Sequence, residues 1–171
     1  MIKRAYVFIF LCFFLLMGCS KNGSKNYISI NGYDSLKWNM NVEEIKKVIN
    51  KKYSGNLYEY FTQNSNNSIS YHFHSGSFFD KNIELWDAEF KDKKFISLKI
   101  FFKPENKAKV IFKSILDKLN KQNIKFEEKK QNSILCTFFT ENSDKPVTKL
   151  TLETKKIKKT EVVLLTLINL N

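Results

Sequence analysis

Eight short runs in which apolar and polar residues alternate dominate this chain, and they fall into two groups of four. "NLYEYFT", "SISYHFH", "NIELWDAEF" and "KFISLKIFFK" make the first group; "IKFEEKK", "SILCTFFTE", "VTKLTLETK" and "EVVLLTLINL" make the second. Aromatic and β-branched residues at a period of two suit pleated, half-buried strands, and Asn/Ser clusters, Gly76 and "KDKK" punctuate the first group as turns. In "KFISLKIFF" the alternation puts Ile96, Leu98, Ile100 and Phe102 on one face and Ser97 and Lys99 on the other. Val162 to Leu167 is apolar on both faces, which predicts a central strand. Strands joined by turns this short pair antiparallel.

A segment of helical period precedes each group. In "LKWNMNVEEIKKVINKKY" Asn41 stands three residues before Glu44, the spacing of a capping box, with Met40 and Ile45 placed for a hydrophobic staple. Val42, Ile45, Ile49 and Tyr53 then recur on one face, with Lys46, Lys47 and Lys51 outside. This predicts a helix from about Val42 to Tyr53, broken by Gly55. In "ENKAKVIFKSILDKLNKQN" the stripe is Ala108, Ile111, Phe112, Ile115, Leu116 and Leu119, and Asn123 is placed as the C-terminal stop. The order predicts an α+β domain of two helix-plus-four-strand units, 31–103 and 104–171, with an antiparallel sheet and the helices packed on one face.

The chain opens on "MIKR", two positive charges and no acid, followed by an apolar run from Ala5 to Met17. That run has the length of an export-signal core and is too short to span a bilayer. It ends in "LMGC", Leu16 to Cys19, which resembles the lipobox of bacterial lipoproteins. The resemblance implies diacylglyceryl transfer to the Cys19 thiol, cleavage between Gly18 and Cys19, and usually acylation of the new amino terminus. One acyl chain gives marginal membrane binding, whereas two or more, at ~0.8 kcal/mol per buried methylene, hold a protein stably. Residues 1–18 therefore read as a signal peptide, 19–30 as the lipidated cysteine and a flexible tether, and 31–171 as a single domain. The first partner is the lipid bilayer, reached through acylated Cys19. Ser20 is not the aspartate that favours inner-membrane retention in some two-membrane bacteria, so the outer membrane is expected where there are two.

Composition narrows the partners further. Removing Lys3 and Arg4 with the signal lowers the formal charge from +12 to +10 and leaves no arginine. Lysine supplies point charge without the bidentate fork that guanidinium offers to phosphates and base edges. Together with the export signal this argues against nucleic acid. Abundant Lys and Asn with scarce Gly and Pro read as the product of an AT-rich genome rather than of selection for a basic site. A basic exported domain is expected near anionic lipid head groups or acidic glycans only through ordinary screened attraction. Cys12 departs with the signal and Cys19 takes lipid, so Cys136 has no partner for a disulfide within one mature chain. It alternates with Ile134 and Phe138 in "SILCTFF" and reads as a small buried side chain.

"LKWNMNVEEIKKVI" resembles the "W-G-M-S-x-E-E-V" helix start of many small exported bacterial proteins, with Asn39 where glycine is usual. "AEFKDKKFISLKIFF" resembles the strand-turn-strand that follows it there. Modules of this kind also recur in the β-lactamase-inhibitor-protein type of fold and in small outer-membrane assembly lipoproteins. The resemblance covers about thirty residues by motif and the rest by element order. It implies a binding scaffold rather than an enzyme.

Two stretches carry candidate chemistry. His72 and His74 in "SYHFHSG" share a strand face opposite Tyr71 and Phe73, and a metal site would need Glu84, Asp87 or Glu89 as third ligand. The bland alternative is a pair of half-exposed histidines on the solvent side of a sheet. Phe78 and Phe79 in "GSFFD" cannot both point inward if the segment is extended, which suggests an exposed patch of the kind partners use. The chain has no G-x-S-x-G turn and no glycine-rich phosphate loop. The expected function is therefore a non-enzymatic envelope lipoprotein without cofactor that binds a protein or an envelope polymer. The alternative is a metal-binding or hydrolytic envelope protein using His72 and His74.

Overall fold

The structure, a computed structural model, describes residues 25–27, 32–64, 67–104, 107–140 and 144–171; Cys19 and the expected signal peptide lie outside them. In chain order the elements are β1 (Asn26–Tyr27), β2 (Gly32–Tyr33), β3 (Leu36–Lys37), α1 (Val42–Tyr53), β4 (Asn56–Gln63), β5 (Ile69–His74), β6 (Ser77–Phe78), β7 (Lys81–Lys91) and β8 (Lys94–Phe102). They continue with α2 (Ala108–Lys121), β9 (Glu127–Lys130), β10 (Ser133–Phe139), β11 (Pro146–Ile157) and β12 (Thr160–Asn169).

The helix starts and stops follow local chemistry. Asn41 Oδ1 accepts the Glu44 N–H at 3.0 Å and Glu44 Oε2 accepts the Asn41 N–H at 2.8 Å, closing the capping box at the head of α1. Ser54, in the left-handed region at φ 56°, ends that helix. Asn123, at φ 56°, turns the chain after α2, where the Ile124 N–H returns to the Leu119 carbonyl at 3.0 Å.

The principal sheet runs β1-β10-β11-β12-β8-β7-β5-β4, with β6 added to β7 and β9 to β10. β12 lies between β11 and β8, the central place its two apolar faces predict. One face of the sheet carries Phe73, Trp86, Leu98, Ile100, Cys136, Leu150, Leu152, Leu165 and Leu167, and these share one core with Ile45 and Ile49 of α1 and Ile115 and Leu119 of α2. Both helices thus cover the same face of a largely antiparallel sheet, and the protein is an α+β domain dominated by strands. Among the described residues no helix is long and apolar enough to cross a membrane.

Three local expectations change. Asn26–Tyr27, expected inside the tether, pairs with β10, and does so in parallel. The Asn26 side chain takes the place of a backbone partner: its Nδ2 donates to the Lys125 carbonyl and its Oδ1 accepts the Lys125 N–H, both at 2.6 Å. The inward face of β8 is completed by Phe95, fully buried, rather than by Ile96, which is half-buried. The pairing slips between Glu89 and Phe90, so Glu89 faces Ser97 while Phe90 faces Phe95, and Ile96 is the extra residue of a bulge.

The third change concerns Phe78 and Phe79, which form no exposed patch. Phe78 is 5 % exposed and Phe79 is half-buried against the core. The segment is not extended: Phe79 and Asp80 both take positive φ, 52° and 55°, in the two-residue turn between β6 and β7. That turn cancels the alternation of faces and folds the second ring back on the first, their centroids 4.7 Å apart.

Candidate functional site

The β2–β3 hairpin is the strap that forms the site. Gly32 lies so close to its opposite strand that a Cβ there would fall 2.0 Å from the Leu36 carbonyl oxygen. Thr148, fully buried on β11, ties the strap down: its hydroxyl donates to the Gly32 carbonyl at 3.1 Å and accepts from Trp38 Nε1 at 2.8 Å. Trp38 in turn stacks on Phe95, centroids 5.1 Å apart. With its base fixed, the strap holds Tyr33 over the sheet, edge-on to Phe138 at 5.4 Å and to Phe79 at 6.3 Å.

The C-terminal end of α1 supplies the opposite wall. Gly76 is at φ +85°, and a Cβ there would fall 2.2 Å from the Tyr53 carbonyl oxygen, so only glycine lets the β5–β6 connection pass this close to the helix end. The approach seats Phe78 against Tyr53 and Trp86, with centroids 5.2 and 5.8 Å away. Trp86, fully buried, donates its indole N–H to the Ser75 carbonyl at 2.8 Å.

Between these walls and the end of α2 lies a cleft of about 760 Å³, lined by Tyr33, Asp34, Lys52, Tyr53, Phe78, Phe79, Asp80, Gln122, Lys125 and Phe138 among others. Its size is that of a pocket for a small ligand or a side-chain anchor. The rim is polar. Tyr53 donates to Asp34 Oδ2 at 2.7 Å, Lys52 bridges Asp34 and Ser35, and Lys118 pairs with Asp80. Tyr33 donates to Gln122 Oε1 at 3.5 Å, at the outer limit for a hydrogen bond.

Burial pushes the phenols of Tyr33 and Tyr53 well above their ordinary range, and the Asp34 carboxylate adds to the effect at both. Both therefore stay neutral donors. Burial also pushes the Cys136 thiol up to about 12, so beneath Tyr33 it remains protonated and unreactive. Neutral phenols, amide groups and carboxylates tied to lysine can recognise a ligand by hydrogen bonding, over walls that offer aromatic edges and faces.

The histidines sit elsewhere, on the sheet face away from the helices. His72 Nε2 lies 2.9 Å from Thr62 Oγ1 and His74 Nδ1 lies 3.0 Å from Ser75 Oγ. Asp87 stands opposite His72 in register, with one oxygen 3.4 Å from Lys99 Nζ. Glu89 accepts from Ser68 and Asn64, and Glu84 is exposed. Among the described residues no three His, Cys, Asp or Glu side chains group to hold a metal ion.

Phe78 and Phe79 thus belong to the site as buried walls rather than as an exposed patch. Tyr33, Asp34 and Gln122 carry no pattern that singles them out in the sequence, beyond the turn composition of "NGYDS", and Tyr53 is legible only as the last residue of the apolar face of α1. Compared with known protein families, curated proteins and solved structures, the chain matches none at a significant level.

Proposed function

We propose that this chain is a bacterial envelope lipoprotein, held by lipid on Cys19, that acts by binding rather than by catalysis. The observation that carries the reading is "LMGC" at the end of a short apolar run behind a positively charged start. Its ligand-facing site is the aromatic cleft, which supplies walls and hydrogen-bonding groups for a protein segment or an envelope polymer. Where the cell has two membranes the anchor belongs in the outer one.

We read the domain further as two helix-plus-four-strand units. In support, α1 is followed by β4, β5, β7 and β8 as sequential neighbours, and α2 by β9, β10, β11 and β12. The last strand of each series, β8 and β12, pair with one another. The cleft then falls between the units, with residues of both in its lining, a common place for ligands.

Metabolic labelling with a fatty acid tests the anchor: label enters the wild-type chain and is absent from Cys19→Ala, whereas label that persists in the variant refutes lipidation at this residue. Crosslinking in cells, read by quantitative mass spectrometry, tests the binding role. A partner captured by wild type and lost when Phe79→Asp charges the cleft wall is the expected result, and capture unchanged by that substitution removes the cleft from the reading.

A further inference from the structure

The β11–β12 hairpin outgrows the sheet that carries it. β10 follows β11 only to Ser133, opposite Glu153, and β8 follows β12 only to Phe101, opposite Leu164. Beyond those points, among the described residues, Lys155, Lys156 and Ile157 pair across the hairpin with Val162, Glu161 and Thr160. At ~3.3 Å per residue the two strands reach roughly 13 Å past the end of β10.

What this arm presents is unusual for a strand end. Every residue from Lys155 to Glu161 is exposed, and Ile157, at 40 %, is an apolar side chain held out in solvent amid Lys155, Lys156, Lys158 and Lys159. Among the described residues none of these four lysines forms a salt bridge. Glu153 and Glu161 are the acids along the arm, and Glu161 faces Lys156. The turn between β7 and β8, Lys91 to Lys94, is also basic, but it includes Asp92 and no apolar residue.

Cations around a single apolar tip match the boundary of an anionic bilayer, where ammonium groups meet phosphate and the apolar side chain meets acyl chain. Lysine on a flexible stem suits a diffuse field of head groups and lacks the fork that reads bases. The tether and the arm leave opposite ends of the sheet: Asn26 lies at the register of Phe138 and Thr148, nine residues and roughly 30 Å along β11 from Ile157 at ~3.3 Å per residue. Ser20 to Lys25 let β1 stand at most about 20 Å from Cys19 at ~3.5 Å per residue, so both reach one bilayer when the sheet lies inclined to its surface.

We propose that the β11–β12 arm docks on the anionic surface of the membrane that holds the lipid, setting the orientation of the domain. The inference rests on the lipoprotein reading for the nearness of the bilayer. The test uses full-length acylated protein carrying Ile157→Cys with an environment-sensitive fluorophore, Cys136 being buried and Cys19 blocked by lipid. It is reconstituted into vesicles of phosphatidylcholine alone or mixed with phosphatidylglycerol.

The expected result is a blue shift with the anionic lipid only, reversed by salt. Replacing the four lysines by glutamine should lower the arm's partition constant for the anionic vesicles about fivefold per lysine at low salt, with an unchanged melting temperature. The same emission in both vesicles overturns the proposal, as does an equal shift produced by soluble polyphosphate, which would make the arm a general anion binder. Intact mass on the same sample reports acylation separately. An unacylated chain therefore overturns the anchor without deciding the arm, which is then read from vesicle-bound protein.

Discussion

Two hairpins of this sheet carry apolar residues at their tips and treat them in opposite ways. At β6–β7 the rings of Phe78 and Phe79 are folded under Tyr33 and against Tyr53. At β11–β12 Ile157 stands out beyond the ends of both neighbouring strands. In each case a two-residue turn reverses the chain and the side chains are of the kind that cores use. The difference is what lies above them: a strap tied down by Thr148 in the first hairpin, and solvent over the exposed residues 155–161 in the second. A turn's own composition therefore does not decide whether its apolar residues are buried.

This contrast fixes the order of the expected effects. Phe78→Ala removes a ring that touches Tyr33, Tyr53, Phe79 and Trp86, and should cost about 3–5 kcal/mol in denaturant-induced unfolding. A loss below about 1 kcal/mol would mean that the strap does not seal the turn.

A buried thiol in the shared core should show itself at high pH. The Cys136 thiol is raised from an ordinary 9.0 to about 12, so above pH 9 the unfolded chain releases a proton that the folded chain keeps. Stability is then fully present below pH 9 and is lost as the pH climbs towards 12, by roughly 1.4 kcal/mol at pH 10. Tyr33 and Tyr53, raised in the same sense, add their losses only above pH 10. Thermal melts of Cys136→Val between pH 8 and 10 should be flatter than those of wild type, and parallel curves would place the thiol in contact with water.

Smaller effects separate the rim from the walls. Tyr53→Phe removes the hydrogen bond to Asp34 and leaves a carboxylate that water can reach, which limits the cost to about 0.5–1 kcal/mol. Ile157→Ala should change stability by less than about 0.5 kcal/mol, since the arm adds nothing to the core. A larger loss there would erase the contrast between the two hairpins.

By itself the sequence determined the elements and their local signals. The capping box of Asn41 and Glu44, the stripe from Ala108 to Leu119, the alternation of β8 around Leu98 and Ile100, and the central character of Val162 to Leu167 all act within a turn or a few residues, where propensity, capping and side-chain period operate. The proposed anchor at Cys19 rests on signals of the same short range.

The tertiary structure decided what depends on residues far apart in the chain. Asn26 joins the sheet because Lys125 and Thr137 receive its side chain, about a hundred residues later, and no periodicity marks it. Phe79 turns inward because the positive φ at Phe79 and Asp80 brings it beneath Tyr33. The cleft exists because the ends of both helices and the strap meet around Phe138, and the arm projects because β8 and β10 stop short of it. Short-range chemistry names the pieces; which piece covers which is set by pairing register and packing between distant segments, where a shift of one residue exchanges a buried face for an exposed one.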